Sequence, residues 1–265
     1  MDNFLNIPKR NNIQVWKNTK QMFSKQGPFY NVPVYKSIAF HDLDNLKNQL
    51  TGQKPQEPII EVVNDDSITY AKTFLDSGLN PLVLNMANHK HPGGGVAYGS
   101  RAQEEDLFRR SNYHLTLNKN ILPKDTYPLA NVSVIYSPNV YIIKDKNYQV
   151  INNPFNLSFI ACPAIQNPEI AYDMDKVPCY KNIQDHELMY RKIEMIYLTA
   201  IYTKHDSLVL GAFGCGAFNN PTSYVARIFA DMNKKYGKYF KKIGFAVLSV
   251  DGDDKFNIFK DILSN

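Results

Sequence analysis

"PLVLNMANHKHPGGGVAYGSRAQEEDLFRRS", Pro81 to Ser111, opens on a short apolar run interrupted only by Asn85 and then enters three consecutive glycines, Gly93 to Gly95. An apolar run of this length, followed by turn chemistry, reads as a buried strand from Pro81 to Met86 feeding a loop. In an open α/β sheet, ligands sit outside the carboxyl ends of the strands, so a glycine loop placed there is a candidate ligand site. After seven intervening residues stands Gln103-Glu104-Glu105, two carboxylates a short loop away from the glycines.

The strand pattern recurs along the chain. Ile59 to Val63, Asn131 to Tyr136, Asn156 to Cys162, Ser207 to Phe213 and Lys242 to Val250 are further short apolar or β-branched runs. Helical patterns lie between them. Ser67 is placed to cap a helix running to Ser77-Gly78, and Met189, Ile193, Ile196 and Ala200 recur at spacings of 4, 3 and 4. Asn220-Pro221 reads as a cap followed by proline at the first helical position, with Tyr224, Val225, Ile228, Phe229 and Met232 on the buried face. Continuously apolar strands separated by amphipathic helices require a sheet covered on both sides. The class is therefore α/β, a three-layer α/β/α sandwich. A helix near Asn12 to Ser24 precedes it, and the polar stretch Lys144 to Pro154 reads as a hairpin or surface loop. The expected organisation is an N-terminal helical extension over residues 1–35 and one domain over residues 36–265, with no linker between two cores.

Composition narrows the function classes. With 265 residues and 44% hydrophobic content the chain buries a substantial core. Nowhere do about 18 consecutive apolar residues occur, and the opening "MDNFLNIPKRNN" lacks the apolar core of a signal peptide, so a soluble intracellular protein is expected. Cys162, Cys179 and Cys215 are odd in number and widely spaced, which argues against a disulfide framework and a zinc cage and fits a reducing compartment. A formal charge of +5 is compatible with an acidic ligand without demanding one.

A second glycine-rich stretch, "SLVLGAFGCGAFNNP", also runs from a strand into a loop, with Gly211, Gly214 and Gly216 ahead of the Asn220-Pro221 helix start. Glycine lets successive N–H groups turn toward one anion and lets the backbone approach a phosphate closely; a helix N-terminus adds to the positive field. Two such loops read as two backbone walls around a diphosphate. Neither has the G-K-[ST] of a Walker loop nor the G-x-G-x-x-G of a dinucleotide fold. Taken alone, each loop is also explained as an ordinary turn. The carboxylates supply a chemistry. Cleaving a glycosidic bond to ribose passes through an oxocarbenium-like state, in which the leaving oxygen needs a proton and the sugar needs a water. A partly protonated carboxyl group serves both needs, and Glu104 and Glu105 are the candidates. The plainer explanation makes "QEEDLFRR" an acidic helix start whose Arg109 and Arg110 continue a solvated face.

Gly93-Gly94-Gly95, seven residues, then Gln103-Glu104-Glu105 resembles the G-G-G-x(6–8)-Q-E-E signature of the poly(ADP-ribose) glycohydrolases, especially the microbial type. "VLNMANHKHPGGG", "YSPNVYIIKD" and "LGAFGCGAFNNP" are similar to further segments of that family, and "VWKNTKQMFSKQGPFY" to its helical N-terminal extension, so the resemblance spans roughly residues 12–250. It implies a macrodomain-like sandwich with a mixed central sheet, and hydrolysis of the ribose–ribose linkage of poly(ADP-ribose) to release ADP-ribose. By the same resemblance Glu105 is the acid/base and Glu104 holds the ribose hydroxyls. Asn88 then meets the distal ribose, Gly93 to Gly95 and Gly214 to Gly216 line the diphosphate, Phe218 packs on that ribose, and Gln103, Cys215 and Ala217 complete the ADP-ribose site. The implied partners are poly(ADP-ribose) or an ADP-ribosylated protein as substrate and ADP-ribose as product, with no membrane and no sequence-specific nucleic-acid binding. No cofactor or metal is implied. The rivals are a hydrolase of protein-linked mono-ADP-ribose, an ADP-ribose reader without catalysis, which the intact glutamate pair opposes, and an unrelated nucleotide binder.

Other features have bland explanations. His89 and His91 are spaced like a metal pair but have no third ligand nearby and read as loop histidines. "DGDDKF", Asp251 to Phe256, starts like a calcium loop without its later glycine and closing glutamate, and reads as a helix cap. Cys215 reads as a small packing residue, and Lys234, Lys235, Lys238, Lys241 and Lys242 as a solvated helix end. Trp16 and the tyrosines read as core or half-buried side chains. Because a carboxylic acid protonates a leaving oxygen without Lewis-acid help, hydrolysis is expected to persist in excess chelator. Activity abolished by chelator and restored by zinc or magnesium would return His89 and His91 to the ligand list.

Overall fold

The computed structural model describes residues 9–50, 56–118, 121–123, 126–249 and 252–264. In chain order the elements are α1 (Lys9–Met22), β1 (Ile38–Phe40), α2 (Leu43–Asn48), β2 (Ile59–Val63), α3 (Ser67–Asp76), β3 (Pro81–Met86), α4 (Gln103–Arg110), α5 (Tyr113–Thr116), β4 (Val134–Lys144), β5 (Val150–Cys162), β6 (Ile170–Tyr172), β7 (Pro178–Tyr180), α6 (Ile183–Tyr202), β8 (Ser207–Leu210), α7 (Thr222–Tyr236), β9 (Lys242–Ala246) and α8 (Lys255–Leu263). Seven strands form one sheet in the order β1-β4-β5-β3-β8-β9-β2, and β6 and β7 make a separate hairpin. From β5 to β2 every pairing is parallel, while β1, β4 and β5 pair antiparallel, so the sheet is mixed as expected.

Alternation along the strands explains the layers. Leu82 and Leu84, Ile160 and Cys162, and Leu208 and Leu210 join a core shared with α2, α6, α7 and α8. Their neighbours Val83, Phe159, Ala161 and Val209 join a second core shared with α1, α3, α4 and α5. Side chains alternate across a strand, so a run apolar at every position must be covered on both faces. The result is a three-layer α/β/α sandwich. Helix α1 is part of the second layer, because Trp16 lies in that core.

Several boundaries differ from the sequence reading. The strand expected over Asn131 to Tyr136 runs instead from Val134 to Lys144, across Pro138-Asn139, which resembles a turn in sequence. A register shift between Ser137 and Val140, with Asn139 at φ 49°, absorbs that pair as a bulge. The stretch Lys144 to Pro154 is a hairpin whose polar residues begin β5 six residues before the expected Asn156; their alternation was hidden because that end of β5 is largely solvent-exposed. The strands expected to reach Phe213 and Val250 stop at Leu210 and Ala246, where glycine-loop and cavity-lining residues take over; Val250 lies outside the described residues. Asp66, not Ser67, caps α3, its carboxylate accepting from Thr69 N at 2.9 Å. Pro221 stands at the N-cap of α7 rather than at its first helical position, because the Asn220 side chain is committed elsewhere. Asp254 occupies the N-cap position of α8. In the basic run, Lys235, Lys241 and Lys242 are ion-paired to Glu194, Asp206 and Glu61.

Helix α3 packs close over the sheet at Gly244 of β9, the strand next to the edge strand β2. A Cβ there would lie 2.4 Å from Tyr70 Cε1 and 2.9 Å from Phe74 Cζ. Both rings are buried, so Gly244→Ala is expected to overpack this contact and destabilise the fold by about 1–3 kcal/mol in urea denaturation. A loss below about 0.5 kcal/mol would mean that α3 slides freely over the sheet.

Candidate active site

The parallel strands β2, β3, β5, β8 and β9 end at one edge of the sheet, and the loops that follow them gather there. After β3 the chain turns through Asn88, whose Oδ1 accepts from Lys90 N at 2.8 Å and His91 N at 3.1 Å. It then enters the glycines, with Gly93 at φ +80° and Gly94 at φ +50°, a backbone that L side chains rarely adopt. A turn at Val96–Tyr98 leads to α4.

Helix α4 presents its first turn to the glycine loop. Gln103 Oε1 accepts from Met86 N at 2.9 Å and its Nε2 donates to Leu84 O at 2.6 Å, which fixes the helix start to the end of β3. The next residue, Glu104, is buried. Its Oε2 accepts from Asn88 N at 2.7 Å; its Oε1 accepts from Gly93 N at 3.0 Å and from Asn85 Nδ2 at 3.4 Å. Burial pushes the Glu104 carboxyl up to about 8, with the Asn88 and Gly93 N–H groups pulling the other way. Glu105 is also buried. Its Oε1 accepts from Gly95 N at 2.8 Å, and its Oε2 finds no hydrogen-bond partner among the described residues. The two carboxylates converge beneath Gly94, where a Cβ would lie 2.5 Å from Glu105 Oε1 and 3.2 Å from Glu104 Oε2.

Arg109 and Arg110 do not continue a solvated face; both are fully buried. Arg110 pairs with Asp66 at 2.6 Å and Asp106 at 3.1 Å, and Arg109 donates to Ser100 O and Tyr148 Oη. The sequence hides this because arginine on a short polar helix looks exposed until buried carboxylates are found opposite it.

The second glycine loop is stapled by one residue. Asn220 Nδ2 donates to Ile165 O at 2.7 Å and Gly214 O at 3.0 Å, while its Oδ1 accepts from Tyr180 Oη at 2.9 Å. Gly214 has φ +74°, and a Cβ there would meet Ala164 Cβ and Asn220 Nδ2 at 2.5 Å. Cys215 is buried behind the loop, its thiol directed to Phe213 O and pushed up to about 12 by burial. Between this loop and the start of α3 lies a cavity of about 330 Å³.

The two loops, both expected to line a diphosphate, are placed differently about this cavity. Gly214, Gly216, Ala217, Phe218 and Gln103 line the cavity, whereas Asn88, Gly93 to Gly95, Cys215 and both glutamates lie outside its lining. The N–H groups of Gly93, Gly94 and Gly95 are already taken by Glu104, His91 O and Glu105. Residues that the sequence did not mark as site residues also line it: Asp65, Arg101, Val247 and Leu248, together with Ser67, Asp253 and Lys255, which were read as belonging to helix caps. Their common signal is position just beyond a strand's carboxyl end or at a helix start. His91 is exposed and His89 half-buried, and no cluster of three metal-ligating side chains occurs among the described residues. No helix among them is long and apolar enough to cross a membrane.

Paired buried carboxylates beside a cavity at the switch edge of a macrodomain-like sheet define a glycoside hydrolase. The family model for the catalytic domain of microbial-type PARG matches residues 4–145, and the chain belongs to that family, the poly(ADP-ribose) glycohydrolases. Poly(ADP-ribose) glycohydrolase activity is the activity of this chain. Among solved structures it is similar to the poly(ADP-ribose) glycohydrolase of Thermomonospora curvata, with 22% identity, 96% of this chain and 100% of that chain covered, and a TM-score of 0.78. The same T. curvata enzyme bound to the inhibitor ADP-HPD matches with 21% identity, coverage of 95% and 99%, and a TM-score of 0.75. The Deinococcus radiodurans enzyme in complex with ADP-ribose matches with 24% identity, coverage of 86% and 94%, and a TM-score of 0.73. No curated protein sequence matches.

The raised Glu104 pKa has a measurable consequence. In the unfolded chain the carboxyl ionises near its ordinary value of 4.5, while in the folded protein it keeps its proton until about 8. The native state then binds more protons across that window, so this group's contribution to stability is complete below pH 4.5 and is lost as pH rises to 8. Glu104→Gln removes the titration. Its stability relative to the parent is expected to rise across the window with a limiting slope of about 1.4 kcal/mol per pH unit, then level off. Parallel urea curves at every pH would show that Glu104 is already ionised when the protein is folded.

Proposed function

We propose that Glu105 is the acid/base of the hydrolysis and that the bond cleaved is the ribose–ribose linkage of poly(ADP-ribose). The observation that carries the assignment is the unequal bonding of the two carboxylates. Both Glu104 oxygens accept from protein donors, whereas Glu105 keeps Oε2 buried and without a partner among the described residues. An unpaired buried acceptor is unfavourable until a ligand meets it, and a ribose oxygen at the scissile bond is such a partner.

In this reading the protonated Glu105 Oε2 gives its proton to the departing ribose oxygen as the glycosidic C–O bond breaks. The oxocarbenium-like sugar takes a water molecule, and the proton released by that water returns to the same carboxylate. Glu104 holds the glycine loop through Asn88 N and Gly93 N and offers its remaining lone pairs to ribose hydroxyls. Asn88, with its Oδ1 committed to the loop, has its Nδ2 to offer the distal ribose.

ADP-ribose, the ligand of the D. radiodurans structure, is the molecule we place in the cavity. The diphosphate lies along Gly214, Gly216 and Ala217, ahead of the N-terminus of α7, and Phe218 covers the distal ribose. A Cβ on Gly216 would meet nothing within 4 Å, which leaves room there for a phosphate. Asp65 suits an exocyclic amine, and Val247 and Leu248 suit the faces of a purine. Gln103 acts from behind, by anchoring α4 to β3. The three free cysteines fit work inside the cell.

Glu105→Gln keeps the shape of the side chain but delivers no proton. It is expected to bind ADP-ribose nearly as tightly as the parent by calorimetry and to release it from poly(ADP-ribose) about 10²–10⁴-fold more slowly. Mono-ADP-ribosylated protein, assayed beside the polymer, identifies the preferred linkage. A fully active Glu105→Gln enzyme would end the assignment, and parent activity confined to the mono-modified protein would overturn the polymer reading.

A further inference from the structure

Helix α1 lies behind the glycine loop and takes no part in the cavity. Asn12, Trp16 and Thr19 recur at spacings of 4 and 3, so they share one face of this helix. That face touches both halves of the catalytic layout. Asn12 Nδ2 donates to Gly99 O at 3.4 Å, at the exit of the glycine loop, and Thr19 Oγ1 donates to Arg109 O at 2.5 Å, in the last turn of the glutamate helix. The buried Lys144 Nζ donates to Thr19 Oγ1 at 2.8 Å and Asn18 Oδ1 at 2.9 Å, and so ties α1 to β4.

Between these two polar attachments sits an aromatic wedge. Trp16 packs on Phe108 at a centroid distance of 6.2 Å and edge-on to His114 at 5.0 Å. The Phe108 ring fills the space beside Gly93, where a Cβ would lie only 2.6 Å from two of its carbons. On its other side it packs on Tyr113 at 5.1 Å, and Tyr113 Oη accepts from Asn85 Nδ2, which also donates to Glu104 Oε1. Phe108 therefore bears at once on the glycine loop and on the support of Glu104.

We propose that Trp16 is a positioning residue for the hydrolysis, holding the Phe108 ring against Gly93 and so setting the separation of the glycine loop from Glu104 and Glu105. This rests on the assignment of Glu105 made above. Helix α4 contributes both the wedge and the carboxylates, so a smaller side chain at position 16 lets Phe108 withdraw from Gly93. The loop N–H groups then shift against the carboxylates they hold. Misplacement by about 1 Å at a reacting centre lowers turnover by about a hundredfold. The residues proposed to line the diphosphate, Gly214, Gly216 and Ala217, belong to the β8 loop and not to α4 or the loop after β3, so product affinity is expected to change less than the rate.

The test compares Trp16→Leu, Trp16→Phe and Thr19→Val with the parent, using single-turnover rates on poly(ADP-ribose) per folded molecule and calorimetric titration with ADP-ribose. Trp16→Leu is expected to lose about 10–100-fold in rate with product affinity changed less than about threefold, Trp16→Phe to recover most of the rate, and Thr19→Val to lose about 3–10-fold. A purely structural role would lower the folded fraction and leave the rate per folded molecule unchanged. That result, for Trp16→Leu or, should it not fold, for Thr19→Val, overturns the proposal, as does a loss of affinity equal to the loss of rate. Glu105→Gln run alongside separates the two readings: if it is active, the acid/base assignment falls; if it is inactive while Trp16→Leu is fully active, the positioning role alone falls.

Discussion

Two adjacent carboxylates taken out of water are unfavourable unless something charged or hydrogen-bonding meets them, and here the partner is backbone. The N–H groups of Asn88, Gly93 and Gly95 point at Glu104 and Glu105. The first turn of α4, with its unsatisfied N–H groups and positive dipole end, adds to the same field. The dependence runs in both directions. Gly93 and Gly94 hold positive φ, and without the carboxylates the Gly93 and Gly95 N–H groups, on either side of a Gly94 N–H bonded to His91 O, would lose the acceptors they have here. A Cβ at Gly94 would overlap Glu105 Oε1 and crowd Glu104 Oε2, so the absence of a side chain there keeps the space the pair occupies.

The rest of the second layer serves to keep α4 in that place. Gln103 pins its start to β3, Arg110 links it to Asp66 at the cap of α3, and Arg109 reaches back to Ser100 O in the loop it follows. Burial raises the Asp66 carboxyl, but Arg110 beside it and the two Thr69 bonds leave it below the ordinary range; Asp106, more deeply placed, is held above its own. Buried ion pairs of this kind add little net stability over well-packed apolar residues, and removing one partner is far more damaging than never having had the pair. Their effect here is to fix register: α4 is short, and a few hydrogen bonds with strict direction locate it where packing alone would tolerate a slide.

The layered class was legible in the sequence because runs such as Pro81–Met86 are apolar at nearly every position and so demand cover on two faces. The stretch from Gly93 to Glu105 stood out because consecutive glycines and paired carboxylates are unusual demands on a chain, while the roles expected of it came from the family resemblance. What stayed hidden had different physical causes. Pro138-Asn139 looks like a turn and is a bulge, because neighbouring strand pairing outweighs local preference. Asn220 looks like a helix cap and is a loop staple, since an amide beside a glycine loop has several backbone carbonyls within reach. Arg109 and Arg110 look solvated and are buried, because their carboxylate, hydroxyl and carbonyl partners come from α3, β4 and the loops around α4. The lining of the cavity was the least legible part, for it is assembled from residues just past several strand ends, each unremarkable in its own segment.

That assembly divides the labour between the two glycine loops. The loop after β3 holds the carboxylates, and its N–H groups are occupied by the protein itself; the loop after β8 lines the cavity. The strands from which they hang are hydrogen-bonded neighbours, with Leu82 opposite Leu208 and Val83 opposite Val209. Past the ends of those strands contact continues, for a Cβ on Gly211 would lie 3.6 Å from Met86 Cε and 3.0 Å from Ala246 O. The distance from the acid to the diphosphate, on the proposed reading, is therefore set by parallel strand pairing, among the stiffest spacings a protein has. The loops need only be rigid relative to their own strands. Asn220 and the glutamates each supply that rigidity locally, by hydrogen bonds within or beside their own loops.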